Sequence, residues 1–104
     1  MNMALKVELS PNPEEALRQL CGVAQDLVAL LREEGKALDS SDFSTFKTLQ
    51  PRKAAVALAH EETALAFQDR ALSFRGVDAR LLDRLEALQH EIGSIGKENL
   101  AKIK

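Results

Sequence analysis

The chain has 104 residues, of which 45% are hydrophobic, 29% are charged and only 4% are aromatic. The length suits one small domain, and the dominance of Ala, Leu, Glu, Lys and Arg favours helix over sheet. The net charge of −2 argues against a protein dedicated to nucleic acid, because such proteins usually carry a basic face.

The cysteine and hydropathy patterns indicate where the protein works. Cys21 is the single cysteine, so the chain cannot form an internal disulfide, and a reducing compartment fits. Because Cys21 stands among apolar residues of a predicted helix, we expect a buried side chain rather than a reactive thiol. No apolar run approaches the ~20 residues of a membrane span, and the N-terminus lacks a signal-peptide pattern. These features predict a cytoplasmic protein without membrane insertion.

We predict an N-terminal tail over 1–12 and a helical domain over 13–104. Leu5, Val7 and Leu9 alternate with charged residues at the period of a strand, but a lone strand would have no partner. A loosely held tail or a single helical turn is the preferred interpretation.

The first helix has a clear beginning. Asn12 can cap it, Pro13 suits the first helical position, and Glu15 stands at capping-box spacing from Asn12. Apolar residues then recur at steps of three and four, which predicts a buried face running to about residue 38: Leu17, Leu20, Ala24, Leu27, Leu31 and Leu38. Glu34 fills the one missing place in this series, and Gly35 should weaken the last turn by roughly 1 kcal/mol relative to Ala.

A polar corner, Asp39-Ser40-Ser41-Asp42, follows and can cap the next helix. Pro51 disfavours helical geometry at Gln50 and removes a backbone donor. We therefore predict a short helix over 42–49 and a separate long helix over 51–75.

The second long helix is apolar on two opposite faces. One face carries Leu58, Leu65 and Leu72, and the other carries Val56, Thr63, Phe67 and Phe74. A helix of this kind needs partners on both sides. It is expected to be either the central helix of the bundle or a helix shared with a second copy.

The last helix shows the most regular heptad pattern. Gly76 suits the left-handed position that ends a helix, and Asp78 can cap the next one. The seam of that helix is Leu81, Leu85, Leu88, Ile92, Ile95 and Asn99. An Asn on a seam lowers stability but can specify register or partner number. The sequence thus predicts an all-α fold: an antiparallel bundle of three long helices with a short connecting helix and coiled-coil-like packing.

No pattern for catalysis, metal binding or cofactor binding is found. His60 has no second His four residues on, and the segment Gly93–Lys97 lacks the spacing and the preceding strand of a phosphate loop. Five glutamates are expected on solvated helix faces, because the Glu-x-x-His pairs of carboxylate metal bundles are absent: Glu33, Glu34, Glu61, Glu62 and Glu91. We expect a protein that is not an enzyme and that holds no metal or cofactor.

The middle of the chain contains a recognisable series of residues: Glu34, Ala37-Leu38, Asp42, Phe43, Phe46, Leu49 and Lys53, followed by Leu58 and Glu61 or Glu62. This series resembles the FlgN family of flagellar export chaperones. The resemblance extends loosely over residues 14–100 and includes Glu98-Asn99-Leu100, where the family often has Asn.

The resemblance implies a cytoplasmic chaperone of the flagellar type III export system. Such proteins bind the C-terminal helical segments of hook–filament junction (hook-associated) proteins, prevent their premature assembly and deliver them to the export gate. The family uses its last helix for this task, so the implied partner-binding residues are Ile92, Ile95, Asn99, Leu100 and Ile103. The chain ends soon after the Asn, where family members usually continue. The alternative from a different class is a coiled-coil oligomerisation or adaptor module, in which a homo-oligomer would occupy the last helix.

Overall fold

The computed structural model describes residues 8–103, which form three long α-helices and contain no strand. The helices are α1 (Pro13–Asp39), α2 (Phe43–Asp69) and α3 (Ala79–Ile103), and a short 3₁₀ helix (Ala71–Phe74) joins α2 to α3. The predicted all-α bundle is confirmed. Of the alternating N-terminal residues, Leu5 and Val7 lie outside the described part of the chain.

The predicted start of α1 is confirmed. The side chain of Asn12 accepts a hydrogen bond from the Glu15 amide at 3.0 Å, and Pro13 occupies the first helical turn. At the other end, Ser41 adopts φ 55°, and the Asp42 carboxylate caps α2 by accepting from the Thr45 amide at 3.1 Å. The polar corner therefore reverses the chain and begins the second helix.

The predicted break at Pro51 is wrong. Helix α2 runs without interruption from Phe43 to Asp69 and includes Pro51, which is exposed. A proline inside a helix deprives the preceding turn of a backbone donor. Here the side-chain amide of Gln50 donates to the Phe46 carbonyl at 3.0 Å. Contacts of α2 with α1 on both sides of Pro51, at Leu49 and at Val56, hold the two parts in one helix.

The end of α2 also differs from the prediction. The helix stops at Asp69 and is followed by the 3₁₀ helix, instead of continuing to residue 75. The predicted turn is confirmed: Gly76 has φ +84°, and the Asp78 carboxylate accepts from the Arg80 amide at 2.9 Å. Helix α3 then runs through Gly93 and Gly96 without a break.

Helix α1, rather than the second long helix, occupies the centre of the bundle. It packs against both α2 and α3, which make few contacts with each other. Consecutive helices are antiparallel, so α1 and α3 run in the same direction, as the pairs Gln25–Arg84 and Asp39–Lys102 show. The helices form a thin layer with extents of 46 × 34 × 17 Å. The central place follows from the wide buried stripe of α1, which extends along most of its length.

The core consists of two apolar clusters along α1. The first joins the amino-terminal half of α1 to Phe74, Leu85 and Leu88, and it includes Cys21, whose predicted burial is confirmed. Burial raises the pKa of the Cys21 thiol above its ordinary value despite the opposing charge of Arg84. The second cluster consists of Leu27, Leu30 and Leu31 of α1 with Val56 of α2. No helix in the described range is long and apolar enough to cross a membrane.

Candidate partner-binding surface

A buried carboxylate joins all three helices near the end of α1. Glu34 is 2% exposed, and its Oε2 atom accepts from Lys53 Nζ at 2.6 Å and from Gln50 Nε2 at 2.9 Å. Its Oε1 atom accepts from Asn99 Nδ2 at 3.0 Å, and Asn99 also donates to the Leu31 carbonyl at 2.8 Å. This network holds the last two turns of α3 against α1 and α2.

The expectation that Glu34 lies on a solvated face is therefore wrong. A buried carboxylate is tolerated only when it is paired and hydrogen-bonded. The two donors from α2, Lys53 and Gln50, replace the hydrogen bonds to water that Glu34 loses on burial. Burial alone would raise the pKa of the Glu34 carboxyl, but the hydrogen bonds from its three donors and the charge of Lys53 outweigh it. The pKa of Glu34 consequently lies below its ordinary value. The available signal was the position of Glu34 within the apolar series of α1.

Gly35 allows Asn99 to approach α1. A Cβ atom at residue 35 would lie 2.8 Å from Asn99 Oδ1, which is too close for an unshifted side chain. The Asn predicted for the heptad seam is thus buried at 3% exposure and bound to α1. It sets the register of α3 against α1, a role that seam Asn residues have in coiled coils.

The five predicted partner-binding residues separate into two groups. Ile92 and Ile95 are half-buried and pack against both core clusters. Asn99 is hydrogen-bonded to the Glu34 carboxylate and to the Leu31 carbonyl. Leu100 and Ile103, in contrast, are 54% and 55% exposed. The structure therefore leaves two of the five free for a partner and places three inside the bundle.

The same end of the bundle carries a third exposed apolar side chain. Phe43 opens α2 and is 64% exposed. It follows closely after Asp39, the residue at the end of α1 to which Lys102 donates at 3.2 Å. We call Phe43, Leu100 and Ile103 the terminal apolar residues. Phe43 is not among the partner-binding residues that the resemblance implies.

A groove lies between the last turns of α1 and the second half of α3. Its volume is about 390 Å³, and Leu31, Ile95 and Asn99 contribute to its lining. Ion pairs lie along its length, Arg32 with Glu91 at 2.7 Å and Lys102 with Asp39 at 3.1 Å. The lining mixes apolar side chains with oppositely charged groups that are paired across the groove.

The outer face of α2 is also open. Leu58 and Leu65 are 41% and 55% exposed, and Leu72 in the 3₁₀ helix is 76% exposed. The opposite face, with Val56, Ala59 and Thr63, is buried against the bundle. The sequence predicted that this helix needs partners on both sides, and within the described chain only one side has them.

Residues 8–103 contain no group of three or more His, Cys, Asp or Glu side chains arranged to hold a metal ion. His60 is half-buried, and its Nε2 atom lies 2.8 Å from Nε2 of Gln89, which links α2 to α3. Burial lowers the pKa of His60 below its ordinary value, although the Gln89 hydrogen bond opposes the shift.

Comparison with known proteins gives no relative from which a function can be transferred. No protein-family model matches the chain, and no curated protein or solved structure matches it.

Proposed function

We propose that this protein is a cytoplasmic chaperone that binds an amphipathic helical segment of another protein, as the resemblance to the FlgN family implies. Its partners would be the C-terminal segments of hook–filament junction proteins, which it would keep from assembling before they reach the export gate. The chemistry required is binding alone, with no catalytic step.

The observation that carries the proposal is the exposure of Leu100 and Ile103. The seam residues of α3 are packed on α1, yet these two large apolar side chains at its end are about half exposed. Burying a whole Leu or Ile side chain is worth about 1.5–3 kcal/mol, so covering half of each would contribute roughly 1 kcal/mol per residue. These two side chains offer a partner helix an apolar contact at the end of α3.

The Glu34 network supports this role because it holds the contact residues in place. Asn99, which is hydrogen-bonded to Glu34 and to the Leu31 carbonyl, directly precedes Leu100 and lies one turn before Ile103. A helix end that is already ordered loses little conformational entropy when a partner binds. The binding mode would be a helix laid against apolar side chains, with the side chains of α3 presented at helical spacing.

Calorimetric titration with the C-terminal segment of a hook–filament junction protein from the same organism tests the proposal. We expect micromolar or tighter binding, weakened at least about tenfold by the double substitution Leu100→Asp with Ile103→Asp. The matched control is Leu82→Asp, which changes a 36% exposed leucine near the other end of α3 and should leave the affinity unchanged. Absence of binding, or equal losses in both variants, would refute the proposal.

A second candidate function is a coiled-coil oligomerisation or adaptor module. In this alternative the last helix of a second copy would cover Leu100 and Ile103, which are 54% and 55% exposed. Sedimentation at several protein concentrations separates the two: an adaptor of this kind would form a stable dimer or higher oligomer without any added segment. A stable oligomer together with no binding of the titrated segment would favour the adaptor, whereas binding of the segment would favour the chaperone.

A further inference from the structure

We propose that the outer face of α2 is a second binding surface, and that its occupant is a basic amphipathic helix of another protein. The surface consists of Leu58 and Leu65 with the acidic residues Glu61, Glu62 and Asp69, and we call it the outer α2 surface. It does not involve the terminal apolar residues, and the inference does not rest on the function proposed above.

The leucines of this surface form a row that the bundle does not use. They are seven residues apart, which places them on one side of the helix, and they are 41% and 55% exposed. The residue at the centre of the opposite face, Val56, is 4% exposed and packs against α1. A row of leucines at heptad spacing is the contact pattern of a helix that pairs with another helix.

The charges beside the row decide what can pair with it. Glu61 and Glu62 lie three or four residues from both leucines, so each is a helical neighbour of both, and Asp69 follows Leu65 by four. All three acidic residues are exposed. Within residues 8–103, none of them takes part in an ion pair.

No basic residue interrupts this acidic stretch. Between Lys53 and Arg70, helix α2 carries only acidic charged residues, and the ammonium group of Lys53 is bound to the buried Glu34. The outer α2 surface is therefore an apolar row with negative charge on both sides, and it has no cation of its own to neutralise that charge.

A second copy of the chain is a poor occupant for this reason. In a parallel pairing about the leucine row, Glu61 and Glu62 of the two copies would lie at the same level. In an antiparallel pairing centred between the leucines, the same residues would meet because they stand midway between Leu58 and Leu65. Both arrangements bring like charges together, which disfavours association. A helix with leucines on its contact face and Lys or Arg beside them would cover the leucine row and would also neutralise the acidic residues.

Fluorescence anisotropy with synthetic peptides tests this inference. The probe is a labelled amphipathic peptide of about 20 residues with Leu at heptad a and d positions and Lys at e and g, and its partner probe carries Glu in place of each Lys. We expect the Lys peptide to bind, the Glu peptide to bind at least about tenfold more weakly, and the affinity for the Lys peptide to fall as salt rises.

Two variants locate the binding and one controls for net charge. The double substitutions Leu58→Gln with Leu65→Gln, and Glu61→Gln with Glu62→Gln, should each weaken binding of the Lys peptide at least about tenfold. The charge-matched control, Asp83→Asn with Glu86→Gln, removes two exposed acidic groups from α3 and should change the affinity less than about twofold.

Three results would overturn the inference. The first is an equal loss of affinity for the Lys peptide in the control and in the Glu61/Glu62 variant, which would show that the peptide is attracted nonspecifically to an acidic protein. The second is equal binding of the two peptides. The third is a concentration-dependent dimer that Leu65→Gln abolishes, which would show that a second copy covers the surface. Circular dichroism of every variant establishes that the helices are intact.

Discussion

Replacing Lys53 with methionine should destabilise the bundle strongly, because it leaves the Glu34 carboxylate buried without a cation. The Glu34 side chain is 2% exposed and the Lys53 side chain is 29% exposed, so the carboxylate cannot replace its lost partner with water as easily as the lysine can. Removing one partner of a buried ion pair typically costs about 3–5 kcal/mol. Gln50 and Asn99 still donate to Glu34 in the variant, so we expect a loss near the lower limit, about 3 kcal/mol.

A double-mutant cycle separates the cost of an unpaired buried charge from the loss of the other interactions between Glu34 and Lys53. Glu34→Gln leaves Lys53 able to turn toward water, so its cost should be smaller, about 1–2 kcal/mol. Adding Lys53→Met to Glu34→Gln should cost little more, since no buried charge is then left unpaired. The assay is urea unfolding followed by circular dichroism, with the free energy of unfolding taken from linear extrapolation.

The pH dependence of the same variants provides a second measure. Because the folded pKa of Glu34 is lowered, its contribution to stability is fully present above the unfolded value of about 4.3 and is lost as pH falls below it. The stability difference between the wild type and Glu34→Gln should therefore shrink as pH falls through this range. The stabilising role of the Glu34 network would be refuted if Lys53→Met lowered the free energy of unfolding by less than about 1 kcal/mol at pH 7. Additive effects of the two substitutions in the double-mutant cycle would also refute it.

Three further predictions concern helix packing and pH. Gly35→Ala should destabilise the wild type, because a Cβ atom would lie 2.8 Å from Asn99 Oδ1, but should stabilise the Asn99→Ala variant by about 1 kcal/mol in urea unfolding. Gly93→Ala should raise the free energy of unfolding by about 1 kcal/mol, since the added Cβ would meet nothing within 4 Å apart from its chain neighbours and the backbone of its own helix; a lower free energy would indicate a contact at this place. The lowered pKa of His60 means that its contribution to stability is complete above the unfolded value of about 6.5 and lost as pH falls. Thermal unfolding between about pH 7.5 and 5.5 should show this loss in the wild type but not in His60→Gln.

Local signals in the sequence predicted the caps of α1 and α3 and the turn before α3. The Asn12 cap, the positive φ of Gly76 and the Asp78 cap all depend on a few neighbouring residues, and each is found as predicted. The seam position of Asn99 was likewise predictable, because helical periodicity alone places it. Such features need no knowledge of the rest of the fold.

Features that depend on packing between helices were not predictable in the same way. Pro51 ends a helix by local rules, but the packing of Leu49 and Val56 on α1 overrides that preference. Its residue type alone predicts that Glu34 is exposed to solvent. The hydrogen-bond donors from α2 and α3, which the local sequence does not reveal, make its burial tolerable. The two opposite faces of α2 suggested a central helix, yet that place went to α1, which buries more of its length.

Hydrogen exchange can show whether a partner helix binds at the end of α3. Amide exchange in α3 would be followed with and without the C-terminal segment of a hook–filament junction protein. We expect added protection from about Gly96 to Ile103, around the exposed Leu100, and no change in α3 near Leu82. Protection confined to the outer α2 surface, or no protection at any amide, would contradict this expectation.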